Sequence, residues 1–142
     1  MLLALREAER AAERDDVPIG SVVVRDGEVI GAAGNERELR GDPTAHAEVL
    51  ALRQAASALG GWRLPETALY VTLEPCPMCA GAVALARVPR LVFAAPDPKT
   101  GAAGSVIDLF AEDAVNHRPL VESGLLADRA GELLESFFAA RR

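Results

Sequence analysis

Two fragments, His46-Ala47-Glu48 and Pro75-Cys76-Pro77-Met78-Cys79, constrain this chain more than any other feature of it. They supply one imidazole, two thiols and one carboxylate, and a fold in which they act together has to bring them to a single point. A structural zinc site closes its tetrahedron with four protein ligands, whereas a catalytic one keeps three and leaves the fourth position to water. Three are found here: His46 through a neutral ring nitrogen, Cys76 and Cys79 as thiolates. Zinc held this way, one ion per chain, lowers the pKa of the remaining water toward neutrality. Glu48, not needed as a ligand, is then the expected proton carrier. Taken alone, Cys-x-x-Cys reads about as readily as a redox dithiol, and a closed structural zinc site is a further alternative. The upstream His-x-Glu is what favours a catalytic centre. His117, the only other histidine, lies in a separate polar segment.

The hydrophobic pattern gives these fragments a setting. Residues 2–14 place Leu5, Ala8 and Ala12 on one face at helical spacing, as an amphipathic helix requires. Residues 19–25 and 28–33 read as two strands around Asp26-Gly27, a pair that accepts the positive φ of a tight hairpin. Asp42-Pro43-Thr44 offers a cap and a first-turn proline for a helix over 45–59, stopped by Gly60-Gly61. His46 and Glu48 then fall in its first turn. Residues 68–73 fit a buried strand leading straight to Glu74-Pro75-Cys76, and a helix is expected over 77–86. Both ligand segments are thus helix N-termini, where free amides and the helix dipole favour thiolates. Beyond them come a strand at 91–95, a glycine-rich loop at 97–105, a short strand at 120–121 and a closing helix over 125–140. Strands alternating with helices imply an α/β protein, a three-layer α/β/α sandwich on a mixed sheet of about five strands.

Half of the 142 residues are hydrophobic, enough for one domain spanning residues 1–142 with its own core. The apolar opening Met1 to Leu5 runs directly into Arg6, Glu7, Glu9 and Arg10, so neither a signal-peptide core nor a bilayer-spanning stretch is expected. Two cysteines at ligand spacing give no disulfide framework, and a reducing, cytoplasmic compartment is where such thiolates persist. The net charge of −6 argues against indiscriminate binding to polyanions, which rests on Lys and Arg neutralising phosphates. Arg118, Arg129, Arg141 and Arg142 are candidates for a local basic surface, with ordinary solvated charges as the plainer reading.

His-x-Glu followed by Pro-Cys-x-x-Cys is a known signature of zinc nucleobase deaminases, and it makes the chain resemble the cytidine deaminase-like superfamily. The surrounding blocks narrow the likeness: Val17-Pro18-Ile19-Gly20, Asp42 to Glu48, Tyr70 to Cys76, Met78 to Ala82, Lys99 to Ser105 and Asn116-His117-Arg118 closely resemble bacterial tRNA-specific adenosine deaminases. That resemblance implies hydrolysis of adenosine to inosine at the wobble position of a tRNA anticodon by a zinc-dependent homodimer. It assigns His46, Cys76 and Cys79 to the metal, Glu48 to proton transfer and Asn35 to the flipped nucleoside. It also implies that Asp97 and Lys99 lie on a loop beside the RNA. Arg118, Arg141 and Arg142 are expected to contact the anticodon stem-loop. Pro96 departs from the polar or basic residue that relatives often carry beside the loop aspartate. A deaminase of a free base or nucleoside, of guanine or cytosine type, would share every metal residue, and a silent zinc module is a third possibility that Glu48 speaks against.

Overall fold

The computed structural model describes residues 1–142. Its elements run α1 (Leu2–Glu13), β1 (Gly20–Arg25), β2 (Glu28–Gly34), α2 (Arg37–Arg40), α3 (Ala47–Leu59), β3 (Thr67–Leu73), α4 (Pro77–Leu85), β4 (Arg90–Ala95), β5 (Leu120–Ser123) and α5 (Ala127–Ala139), with a short 3-10 turn at Leu109–Ala111. The five strands form one sheet in the order β2-β1-β3-β4-β5. β1 is antiparallel to both β2 and β3, whereas β3, β4 and β5 are parallel. The hairpin turns at Asp26 and Gly27, both at positive φ. The pairing of β1 with β2 slips by one residue between Val23 and Val24, a bulge that bends this edge of the sheet. The expected mixed α/β/α sandwich is the architecture found, its strands lying within a residue or two of the positions read from the hydrophobic pattern.

Two glycines fix how close the helical layers come. A Cβ on Gly20 would stand 1.9 Å from the Ala4 carbonyl oxygen of α1, and one on Gly31 would stand 2.3 Å from the Ala51 carbonyl oxygen of α3. Only glycine allows backbone to meet backbone at those points, one on each face of the sheet. Beneath α3 and α4 the main core gathers Leu50, Leu64, Leu69, Val71, Val83, Val88, Leu91 and Phe93. On the other face Leu5 of α1 and Ala130 of α5 pack with Ala94 and Ala95 of β4. Leu64, Leu69 and Leu91 are fully buried, so truncating any of them to alanine costs about 2–5 kcal/mol. The buried stripe of α1 runs through Ala4, Leu5, Ala8 and Ala11, turned slightly from the expected Leu5, Ala8, Ala12 face.

Three local readings are corrected. The helix expected from Ala45 begins at Ala47, with His46 as its N-cap in extended conformation. Asp42 spends its carboxylate on the Thr44 amide and hydroxyl, both at 2.8 Å, and so caps a separate turn before the helix rather than the helix itself. Residues 37–40 form a short helix that hydrophobic pattern did not announce, held from outside by the buried Asp16 carboxylate, which accepts the Glu38 and Leu39 amides at 2.7 and 3.1 Å. Finally, Leu125 and Leu126 lie outside α5, since Leu126 stands at positive φ as its N-cap.

Candidate active site

His46 and Cys76 occupy equivalent positions. Each is the extended N-cap residue of a helix, α3 and α4 respectively, and Pro77 follows Cys76 as the first helical residue. N-caps usually carry Ser, Thr, Asp or Asn to satisfy free amides. Here the two caps are an imidazole and a thiol aimed at one another. β3 delivers Cys76, the first turn of α4 delivers Cys79, and α3 delivers His46 with Glu48 one residue inside the helix. Parallel pairing of β3 with β4 and the burial of Cys79 and Ala80 in the core fix the α4 side of this meeting.

The ligand atoms of His46, Cys76 and Cys79 all lie within 4.8 Å of one another. His46 Nδ1 is 3.7 Å from Cys76 Sγ and 3.5 Å from Cys79 Sγ. In a tetrahedron with Zn–S of about 2.3 Å and Zn–N of about 2.05 Å, the N···S edge is about 3.6 Å. The donor set therefore fits zinc in chemistry and in spacing. No other His, Cys, Asp or Glu joins the group. His117 in particular is engaged elsewhere, its Nε2 lying 2.6 Å from the Val88 carbonyl oxygen, which removes the closed four-ligand alternative that used it.

Protons distribute unevenly in this cluster. The Cys76 thiol is drawn down to about 4, first because Cys79 hydrogen-bonds to it and then because His46 does. Cys79 is pushed far up as the donor to Cys76 and by burial. His46 is raised, chiefly by its bond to Cys76. The Cys76 thiolate is thus ready to bind a cation, whereas Cys79 and the protonated form of His46 must release a proton when metal enters. Glu48 is buried, and desolvation pushes its carboxyl up to about 7. A carboxyl poised near neutrality takes and gives protons with little cost in either direction.

Beside this cluster is a cavity of about 70 Å³ lined by Val17, Ile19, Asn35, Arg37, His46, Ala47 and Glu48. Asn35 is 4 % exposed, and its side-chain carbonyl has no hydrogen-bond partner. A buried unpaired acceptor is costly unless a ligand completes it. Asn35 thus joins His46 and Glu48 at the same cavity wall. Arg37 also lines it, a residue the sequence reading passed over; its proximity depends on the short α2 that no periodicity marked.

The remaining sequence candidates stand apart from that cavity, and Asp97, Arg118 and Arg141 among them are occupied internally. Asp97 accepts the Lys99 amide at 2.9 Å, the Thr100 amide at 3.2 Å and the Thr100 hydroxyl at 2.9 Å, so it shapes its own loop. Lys99 is exposed on that loop and makes no ion pair. Arg118 donates to the Phe110 and Glu112 carbonyls. Arg141 donates to the Phe137 carbonyl at 3.0 Å, pairs with Asp15 at 2.6 Å and lies over the Phe137 ring. Arg142 is exposed at the end of α5, beyond the buried Phe137.

The family model for MafB19-like deaminases matches residues 1–142. The tRNA-specific adenosine deaminase of Bacillus subtilis is 50% identical over 139 residues, covering 98% of this chain and 86% of that protein. A structure solved in a study of A-to-I editing by tRNA:A34 deaminases at the wobble position of transfer RNA superposes with a TM-score of 0.92 at 51% identity, covering 94% of this chain and 97% of that one. The guanine deaminase of Bacillus subtilis shares the fold less closely, with a TM-score of 0.65 at 34% identity over 97% of this chain and 88% of that one. By sequence over its whole length and by fold, the chain belongs to the MafB19-like deaminase family and, within it, to the tRNA-specific adenosine deaminases.

Proposed function

We propose that this protein deaminates adenosine to inosine at the wobble position of a tRNA anticodon, using one zinc ion held by His46, Cys76 and Cys79. The observation that carries the chemistry is the convergence of three metal-ligand atoms within 4.8 Å beside the buried Glu48 carboxyl and the unpaired Asn35 carbonyl. Likeness to tRNA-specific adenosine deaminases at 50% identity directs that chemistry to adenosine in tRNA.

Zinc in this position supplies Lewis-acid activation of a water nucleophile. The rest falls to the chain. Glu48 accepts a proton from that water and delivers it to N1 of the base as the C6–O bond forms. It then takes the proton of the new C6 hydroxyl and passes it to the departing amine, so that the C6–N bond breaks and ammonia leaves with inosine as the product. A single carboxylate serves both transfers because burial holds it near 7, in reach of both protonation states. Asn35 orients the nucleoside through its otherwise unsatisfied carbonyl. The target base has to leave its stack to reach a cavity this enclosed, which costs least in a single-stranded anticodon loop.

Recognition of the stem-loop is assigned to Asp97 and Lys99 on the 97–105 loop and to Arg118, Arg141 and Arg142. The apolar side chains of Met78, Leu85, Val106 and Ile107 are exposed, and a groove of Val49, Leu52, Ala56, Trp62, Ala82 and Leu85 runs between α3 and α4. Such a surface suits a homodimer, the commonest symmetric assembly, and light scattering that gave only monomer at micromolar concentration would count against it. No helix is long and apolar enough to cross a membrane, in keeping with a cytoplasmic enzyme acting on tRNA. The function is tested by incubating the purified protein with total bacterial tRNA and sequencing anticodons for inosine. Inosine at the first anticodon position is expected; rapid turnover of free guanine or adenosine with unmodified tRNA would replace this reading by that of a free-base or nucleoside deaminase.

A further inference from the structure

Glu74 lies immediately before the metal-binding Pro75-Cys76 segment and is 2 % exposed, yet it has no cationic partner. Its carboxylate is instead filled by donors from one loop. Oε1 accepts the Asp97 amide at 3.1 Å and the Ser105 hydroxyl; Oε2 accepts the Ala103 amide at 3.0 Å and the Ser105 amide at 3.1 Å. The loop closes so tightly on this group that a Cβ on Gly101 would stand 2.4 Å from Oε2. Backbone bonds from Glu74 to Ala95, at 2.9 Å, and from Ala102 to Pro75, at 2.9 Å, flank the carboxylate on either side.

An ionised carboxylate only accepts hydrogen bonds, and all four of its partners here donate. Glutamine, equal in shape, would turn an NH2 group toward two donors at one end or the other and leave a backbone amide unpaired. We infer that Glu74 is a positioning residue for nucleic-acid recognition: it clamps the 97–105 loop to the segment bearing the cysteines and so fixes where Asp97 and Lys99 meet the RNA. This rests on the tRNA reading above. Glu74 belongs to neither the cavity lining nor the metal-ligand group, so the clamp acts on binding and leaves the chemical step alone. Loss of buried charge-assisted bonds of this kind is worth about a factor of ten or more in an equilibrium, enough to move KM while the metal site keeps its ligands.

The test compares wild type, Glu74→Gln, Ser105→Ala and Ser105→Thr with an anticodon stem-loop RNA as substrate, together with zinc content and hydrogen exchange of the loop amides. Glu74→Gln is expected to raise KM about tenfold, with kcat within about threefold and zinc at one per chain. Ser105→Ala is expected to raise KM about threefold and Ser105→Thr, which keeps the hydroxyl, to restore it. The Ala103 and Ser105 amides should exchange faster in Glu74→Gln without RNA present. Unchanged KM in Glu74→Gln would overturn the inference, as would a fall in kcat and zinc at constant KM, the mark of a residue that merely supports Cys76. If Glu74→Gln does not fold, equal KM values for Ser105→Ala and wild type would overturn it. A wild-type protein inactive on RNA would instead sink the tRNA reading, and the exchange comparison would still decide whether the clamp exists.

Discussion

The metal-side pocket and the loop-and-terminus surface handle polar groups in opposite ways. In the pocket, side chains are buried or half-buried and turned to one another: Asn35 lacks a partner, Glu48 is desolvated, and His46, Cys76 and Cys79 converge on one point. On the surface, Asp97, Arg118 and Arg141 are exposed or half-exposed and already satisfied by their own chain. Incompleteness in a buried place costs stability and persists only where something else completes it. The proposed chemistry is thus built into the fold before any substrate arrives, whereas the proposed recognition draws on groups whose first task is to hold loops in shape. Variants on the two sides should therefore fail differently.

The largest effect is expected at His46. His46→Ala removes one of the three proposed ligands, and both zinc and deamination should be lost together, as elemental analysis and an inosine assay would read. Next comes Asn35→Ala, which should keep zinc and raise KM for an anticodon stem-loop by about tenfold, the loss expected for one buried hydrogen bond to substrate. A wild-type KM in that variant would mean that the Asn35 carbonyl completes no contact, and the contrast between the two regions would weaken. Asp97→Asn keeps the acceptor for the Lys99 and Thr100 amides while removing one carboxylate oxygen that can bond a 2′-hydroxyl. It should leave zinc unchanged and narrow the gap between rates on RNA and DNA hairpins by a few-fold; an unchanged gap would confine Asp97 to its loop. The smallest effect belongs to Lys99→Ala. Plots of log affinity against log salt should become shallower by about 0.7–0.9, the contribution of one phosphate contact, and an unaltered slope would show that Lys99 faces solvent only.

The legibility of the molecule in its sequence follows the same divide. The sheet and the long helices were readable because β-branched runs and helical spacing encode burial directly, and the convergence of His46, Cys76 and Cys79 because only a few residue types bind zinc at such spacing. Helix ends were less clear: Asp42 looks like a cap for α3, but its carboxylate reaches only as far as Thr44, and the cap position itself is taken by His46. Contacts made across the chain were the hardest to foresee. Asp16 holding α2, and with it Arg37 at the cavity, joins residues more than twenty positions apart. Glu74, just past the end of β3, reaches Ser105 with nothing in either segment announcing the other. Arg118 and Arg141 could be seen as charges, but their carbonyl partners are set by how the chain returns on itself.

The measurement that bears most directly on the division between chemistry and scaffold is zinc content and inosine yield determined on the same preparation of Glu48→Ala. Glu48 lies beside the metal-ligand group without belonging to it. The variant should hold about one zinc per chain, as three protein ligands require, and its rate on an anticodon stem-loop should fall by at least about a hundredfold, as loss of a general acid/base does. A Glu48→Ala protein that kept its zinc and deaminated at the wild-type rate would contradict the account.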